Sequence, residues 1–292
     1  MTTMEQRGEV GVPTPGTVRY QARPVGSTSS LAGGLIGRVG PFVIALCLGV
    51  VVWQLVSLRM GDRSFLLPSP LSVLTDSLLK PDHLDRLLGA LWLTTRVALL
   101  GLAISAAVGI LVAIVMSQSR FLESMIYPYA VLLQTIPVLA LVPLMGLWFG
   151  FGTTSRTVIV VIFALFPMIS NTLFGLQSVE KGMHDFFTIR RATRWQRLRL
   201  LMLPAALPAI FVGLRTSSGL AVIGAVVGDM FFAQGAPGIG TLVTLYTSRL
   251  QSADLYAAII LASLLGIAVF GAFTTLARLA VGKWHPSHRP RE

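Results

Sequence analysis

The sequence has few charged residues and a single cysteine. Asp, Glu, Lys and Arg make up 12% of its 292 residues, about half the share of a soluble domain, whereas 54% are hydrophobic. The mean hydropathy is +0.75. A soluble protein of this length could not bury so much apolar surface, and low charge argues against a nucleic-acid-binding protein. Cys47 alone cannot form an internal disulfide. We therefore predict an integral membrane protein.

Motifs of ATP-binding and metal-dependent enzymes are also missing. The only Gly-Lys pair, Gly282-Lys283, is followed by Trp284, so the sequence has no phosphate-binding G-x-x-x-x-G-K-[ST]. It has no H-E-x-x-H, and its histidines lie outside the apolar runs: His83, His184, His285 and His288. We expect a chain that is not an enzyme and binds no metal or cofactor of its own.

Runs without charge locate the membrane spans. A helix needs about 20 mostly apolar residues to cross a bilayer. The gaps between charged residues predict six such helices, at about 39–58, 94–117, 126–148, 157–177, 205–232 and 255–279. We predict an all-α integral membrane protein with a transmembrane domain over 39–282, a disordered cytoplasmic tail over 1–38 and a second cytoplasmic tail over 283–292.

The third apolar run is the least regular. Residues 124–155 are too many for one helix and too few for two spans with a loop. We predict one span over 126–148, kinked by Pro128, Pro137 and Pro143.

The distribution of cations predicts the orientation. With the N-terminus in the cytoplasm, 15 Lys and Arg lie inside. Six lie outside: Arg59, Arg63, Lys80, Arg86, Arg156 and Arg249. This asymmetry predicts that both termini are cytoplasmic.

The loop between the fourth and fifth spans is the most densely charged stretch. Arg190 and Arg194 are i,i+4 neighbours. An apolar stripe accompanies them, formed by Ile189, Ala192, Trp195 and Leu198. The pattern predicts a short basic amphipathic helix that is broken before Pro204. Such a helix either rests on anionic lipid headgroups or docks a cytoplasmic partner, and both alternatives stay open at this point.

The same stretch resembles a known family. Thr193-Arg-Trp-Gln, Leu203-Pro204-Ala-Ala-Leu-Pro208 and Gly213-Leu-Arg215 are similar to the signature loop of ABC importer permeases. The branch it resembles imports nitrate, sulfonates, taurine and related small solutes, including some vitamin precursors. Gln134-Thr-Ile-Pro137 and Gly228-Asp229-Met230 resemble other segments of that family in the same order, so the resemblance covers about residues 60–290.

The resemblance implies a coupling role for this loop, which in the family forms cytoplasmic helices that sit in a groove of the ATPase subunit. The matching positions here are Asp185, Phe186, Phe187, Arg190, Arg191, Ala192, Arg194, Trp195, Leu203 and Pro204. The family's loop begins Glu-Ala-Ala and has a glycine six positions after the Glu. This chain has Asp185, Phe186 and Phe187 there, with Arg191 in place of the glycine.

The implied function is that of the transmembrane permease subunit of an ATP-driven importer in a prokaryotic cytoplasmic membrane. Its implied partners are a cytoplasmic ABC ATPase dimer that binds ATP and Mg, a second permease copy or paralogue, an external solute-binding protein and membrane lipid, but no nucleic acid. A stand-alone secondary transporter and a membrane scaffold remain alternatives. A secondary transporter would need several acids near the bilayer midplane, where Asp229 is the only candidate.

Candidates for the solute path are Asp229, Gln134 and Pro137. Asp229 has no basic residue within ten positions. It either lines the path or pairs with another helix, or it lies at the outer interface. Arg215 lies about 21 Å away along the same helix, which excludes a bridge between the two.

Overall fold

The computed structural model describes residues 31–61 and 66–281, which are helical or in turns with no strand among them. The helices are α1 Leu31–Arg59, α2 Pro70–Val73, α3 Pro81–Ser117, α4 Arg120–Thr135, α5 Val138–Phe149, α6 Thr153–Gln177, α7 Lys181–Ile189, α8 Arg194–Arg197, α9 Leu203–Phe231, α10 Ile239–Ser248 and α11 Ser252–Val281. Two π-helical turns, Leu74–Leu78 and Leu198–Met202, follow α2 and α8.

The chain falls into two units, residues 1–51 and 52–292. The described part of the first unit is the beginning of α1, which starts at Leu31, inside the segment that was predicted to be a disordered tail. The remainder of that tail, 1–30, and the predicted tail 283–292 lie outside the described residues.

Four helical stretches in the described residues are long and apolar enough to cross a membrane. They are α3, α6, the stretch Arg194–Phe231 that contains α9, and Ser252–Ala280 within α11. They correspond to the second, fourth, fifth and sixth predicted spans. A shorter apolar stretch, Val43–Arg59, corresponds to the first. The all-helical membrane fold is therefore confirmed, although only four of the six predicted spans are single helices long and apolar enough to cross a membrane among the described residues.

The third predicted span differs from the single kinked helix that the sequence suggested. α4 and α5 meet at an angle of 98°, and they count as a fifth span only if the bent pair crosses the membrane together. Ile136 is extended, with φ −65° and ψ 128°, because proline disfavours the helical conformation of the residue before it. Pro128 and Pro143 lie inside α4 and α5 without ending them, so Pro137 makes the break.

The core lies between the long helices, where α6 packs against both α3 and α9, and α11 packs on α9. Small residues allow this close approach. A Cβ atom at Gly101 would collide with Val160, and one at Gly175 would collide with Ala209. This packing fixes α6 and α9 relative to each other, and the loop that joins these two helices is the predicted coupling loop.

Candidate functional site

The loop between α6 and α9 forms two short helices rather than the single one predicted. α7 ends at Ile189 and α8 begins at Arg194. Between them, Arg191 has φ +50°, in the left-handed region. Thr193 caps α8 through a capping box, in which its hydroxyl accepts from the Gln196 N–H and the Gln196 side chain accepts from the Thr193 N–H. The Thr-x-x-Gln spacing was the sequence signal for this helix start.

The helix does not break before Pro204, so that prediction is wrong. A helical stretch runs without a loop from Arg194 to Phe231. The π-helical turn Leu198–Met202 leads directly into α9 at Leu203, whose N–H donates to the Leu198 carbonyl. Pro204 follows in the first turn of α9, where a missing N–H is tolerated. The segment with the coupling signature is therefore continuous with a membrane-spanning helix.

One face of α7 exposes large apolar side chains. Met183, Phe186 and Ile189, spaced three residues apart, are 48%, 51% and 81% exposed. Trp195 on α8 is 65% exposed, and the Phe187 ring packs edge-on against Phe186. This set, which we call the α7–α8 patch, has the character of a protein contact surface.

Cations surround the α7–α8 patch. Arg190, Arg191 and Arg194 are exposed, and no ion pair involves them in the part of the chain that the structure describes. The Arg190 guanidinium lies 5.6 Å above the Phe186 ring. Arg197 donates to the Thr188 hydroxyl at 2.9 Å and so connects α8 to α7.

The other predicted coupling residues lie on the same loop. Asp185 and Pro204 are exposed, and Ala192 and Leu203 are half-buried. The structure therefore brings the predicted coupling residues together in one segment at one end of α6 and α9.

Replacing Arg191 by glycine should stabilise the loop. A left-handed backbone costs a non-glycine residue about 1 kcal/mol or more, and glycine avoids this cost. We expect the free energy of unfolding of the purified protein to rise by about 1 kcal/mol, read as a higher melting temperature. Arg191→Val is the matched control and should lower it, because a β-branched residue tolerates this conformation poorly. A glycine variant less stable than the valine variant would contradict the assignment.

Two of the three solute-path candidates lie where α4 and α5 meet. Gln134 is in the last turn of α4, and Pro137 precedes α5. Both side chains are exposed. Their place in the path stays a prediction.

Asp229, the third candidate, has no exposed surface. Its side chain is 0% exposed, and so is that of Arg156, whose Nη1 lies 3.1 Å from the Asp229 Oδ1. The partner comes from α6, so the alternative in which Asp229 pairs with another helix is the one observed. The enclosed carboxylate takes part in this ion pair, and the place of Asp229 in the solute path stays a prediction. Arg156, counted above as an external loop cation, is likewise buried.

Arg156 also holds the segment that follows α9. Its Nε donates to the Phe232 carbonyl at 2.7 Å, and its Nη atoms donate to the carbonyls of Ala236 and Gln234 at 3.2 and 3.3 Å. This segment, 232–238, carries Gly235 at φ +90°, and its residues 233–237 are exposed. One buried guanidinium therefore connects the start of α6 to the turn between α9 and α10.

Thr94 completes the network from α3. Its Oγ1 lies 2.5 Å from the Asp229 Oδ2 and accepts the Ile239 N–H at 2.8 Å. The Thr241 hydroxyl donates to the Asp229 carbonyl at 2.7 Å. A Cβ atom at Gly238 would overlap the Asp229 carboxylate, so glycine is required there. We call Arg156, Asp229 and Thr94, with the backbone that they hold, the buried clamp.

The described residues contain no group of three or more His, Cys, Asp or Glu that could hold a metal ion. The candidate functional features of the described residues are the exposed α7–α8 patch and the buried clamp.

Comparison with known sequences gives a consistent set of relatives. The family described as binding-protein-dependent transport system inner membrane component matches residues 105–282. A formylaminopyrimidine transport permease protein of Halalkalibacterium halodurans is 34% identical, over 78% of this chain and 89% of that one. A riboflavin transport system permease protein of Chloroflexus aurantiacus is 31% identical, over 84% and 90%. A nitrate import permease protein of Synechococcus elongatus is 29% identical, over 70% and 75%.

Solved structures agree on the fold. A chain of the MetNI methionine ABC transporter, in an inward-facing conformation, superposes with a TM-score of 0.61. The match covers 70% of this chain and all of that chain, at 16% sequence identity. At this identity the similarity concerns the fold alone.

Proposed function

The chain belongs to the family of binding-protein-dependent transport system inner membrane components, and on that basis we propose which partners and solute its surfaces serve. It is an ABC importer permease of the branch that includes nitrate and sulfonate permeases, and thus a multi-pass membrane component of a transporter rather than an enzyme. Membership of this family argues against the alternatives of a stand-alone secondary transporter and a membrane scaffold.

We propose that the α7–α8 patch docks a cytoplasmic ABC ATPase dimer, which binds ATP and Mg. The observation that carries this proposal is the exposure of Phe186, Ile189 and Trp195 at one end of α6 and α9. Beside them lie arginines that form no ion pair among the described residues. An apolar centre with a basic rim fits a groove of opposite charge on a protein partner. ATP-driven closure of the ATPase would then move α7 and α8, and with them α9.

The orientation that we propose follows from this docking. The α7–α8 end faces the cytoplasm, as do both termini, and the exposed segment 233–237 faces outward. That outer face would receive an external solute-binding protein. A second permease copy or a paralogue would complete the solute path.

The solute that we propose is a small molecule of the nitrate, sulfonate or taurine type, or a vitamin precursor. The names of the relatives support this class, because they include formylaminopyrimidine, riboflavin and nitrate permeases. Gln134 and Pro137 would line the path where α4 and α5 meet.

Reconstitution into vesicles tests the proposed function. The chain, extracted from its native membrane with whatever ATPase accompanies it, is placed in proteoliposomes with nitrate, taurine or formylaminopyrimidine outside. We expect uptake of one solute class only when ATP is on the ATPase side and the binding protein is outside. Uptake by the chain alone under a proton or sodium gradient would identify a secondary transporter. Absence of any accompanying ATPase would favour the scaffold.

A further inference from the structure

A groove runs along α9 and α11 on the surface of the second unit. Its longer part is a cavity of about 620 Å³ with an almost entirely apolar lining, in which Val222, Ile223, Ile259 and Ile267 take part. Ile223 and Ile267 are 52% and 67% exposed. The groove is therefore open along its length and can accept a flexible apolar chain.

The groove continues into a smaller basic pocket at the α7–α8 end of the two helices. This second cavity has a volume of about 310 Å³ and is lined by Arg215, Arg278, Thr274 and Phe211, among others. The Arg215 guanidinium lies 5.3 Å above the ring of Phe270, which also lines the apolar part. The basic pocket and the apolar groove therefore meet at Phe270.

Neither arginine has a carboxylate partner among the described residues. Both are exposed, although each emerges from a helix that is otherwise apolar. A guanidinium presents a planar fork of donors that matches an oxygen anion, and two of them around one pocket favour a phosphate.

The depth of the pocket fits the headgroup level of a bilayer. Arg215 lies 16 residues before Phe231, the last residue of α9, which corresponds to about 24 Å along the helix. The hydrocarbon core of a bilayer is about 30 Å thick. Arg215 therefore lies near the inner boundary of that core, within reach of the headgroups.

We propose that α9 and α11 form a binding site for an anionic phospholipid of the inner leaflet. Arg215 and Arg278 hold the headgroup phosphate, and the acyl chains lie in the apolar groove. Basic pockets between membrane helices on the cytoplasmic side are where anionic lipids bind. The assignment to the inner leaflet rests on the proposed function, which orients the α7–α8 end toward the cytoplasm, whereas the site itself does not depend on transport.

A second copy of this chain fits the groove less well than a lipid does. A protein partner would have to cover two guanidiniums with carboxylates or leave them desolvated, which is costly. A phospholipid has one phosphate, which fits the basic pocket, and two apolar chains, which fit the apolar groove next to it.

Lipid retention measured by native mass spectrometry tests the site. The purified transporter is delipidated in neutral detergent and titrated with phosphatidylglycerol or phosphatidylcholine. We expect the wild type to retain phosphatidylglycerol more tightly. Arg215→Gln and Arg278→Gln should each weaken retention about fivefold. Arg120→Gln, an exposed arginine at the start of α4, is the matched control and should change nothing. Equal retention of both lipids, or full retention by the double variant, would overturn the proposal.

A cross-linking experiment tests whether a second copy of this chain, rather than a lipid, occupies the groove. Ile267→Cys in a Cys47→Ser background places one thiol in the groove. If lipid fills the groove, oxidation leaves the chain uncross-linked; rapid disulfide formation between two copies overturns the lipid site. Both readouts are made without transport, so failure of the uptake experiment does not decide them.

Discussion

Replacing Arg156 by methionine should destabilise the protein by roughly 3–5 kcal/mol, because it leaves a carboxylate buried without its counter-charge. Asp229 has no exposed surface through which water could replace the guanidinium. The carbonyls of Phe232, Gln234 and Ala236 lose their donor in the same variant. We expect a large fall in the melting temperature of the purified protein, followed by intrinsic fluorescence, and little folded protein in the membrane.

A second substitution separates the stability lost by leaving the Asp229 carboxylate unpaired from the stability lost with the hydrogen bonds of Arg156. Adding Asp229→Leu to Arg156→Met removes the stranded charge, so the double variant should regain part of the lost stability. It should not regain all of it, because the carbonyl of the buried Phe232 remains without a donor. Arg156→Lys keeps the charge but cannot reach all of these acceptors, and should lie between the wild type and the methionine variant. Equal stability of Arg156→Met and the wild type would show that the buried clamp does not hold the turn between α9 and α10.

Placing two acids on the α7–α8 patch should abolish coupling to the ATPase. In Phe186→Asp with Ile189→Asp, two exposed apolar contacts become charges that a desolvated groove would reject. Contact residues of this kind are each worth about 2 kcal/mol or more, so we expect at least a hundredfold loss of affinity for the ATPase. The measurements are co-purification of the ATPase and ATP-driven uptake, both of which should fall to background.

The stability of this variant should stay near that of the wild type, because Phe186 and Ile189 are 51% and 81% exposed in the isolated chain. Leu79→Asp is the matched control, since Leu79 is 65% exposed and lies in the turn before α3, remote in the chain from the loop between α6 and α9. It should co-purify with as much ATPase as the wild type. If the doubly acidic variant co-purified with a normal amount of ATPase, the ATPase would have to dock on a surface other than the α7–α8 patch.

The long helices were predictable because the bilayer imposes a length and an apolar composition that can be read residue by residue. The bend between α4 and α5 was less predictable from the sequence. Three prolines share that run, and only Pro137 interrupts the helix, since Pro128 and Pro143 are accommodated within α4 and α5. Whether a proline breaks a helix depends on whether neighbouring groups can bond the backbone carbonyl that the proline leaves without a donor. This depends on tertiary structure.

The sequence predicted a short basic helix in the loop between α6 and α9, but it did not predict the shape of that loop. The apolar stripe predicted one helix, whereas the left-handed Arg191 divides it into α7 and α8. Glycine, which the resembled family has at this position, adopts this conformation without strain, whereas it is uncommon for an arginine and could not be expected from the residue type. The capping signal of Thr193 and Gln196 was legible in the sequence and was missed.

The buried clamp could not be derived from spacing. Arg156 and Asp229 lie 73 residues apart, on helices that the sequence does not place side by side. The usable signal was physical, because an acid within an apolar span requires a partner, and that partner can come from any helix. Arg156 lies at the edge of a span and was predicted to be an external cation, and its position in the sequence does not show that it pairs with Asp229.

The continuity between α8 and α9 has a mechanical consequence. The stretch Arg194–Phe231 contains 38 residues and is about 57 Å long, so it can act as a lever. A tilt of about 5° displaces one end of such a rod by about 5 Å relative to the other. One end carries Trp195 of the docking patch, and the other carries Asp229 and the turn held by Arg156. A small displacement that the proposed ATPase imposes at Trp195 would therefore change the tilt of the whole stretch, which would pivot on the buried clamp that holds its other end.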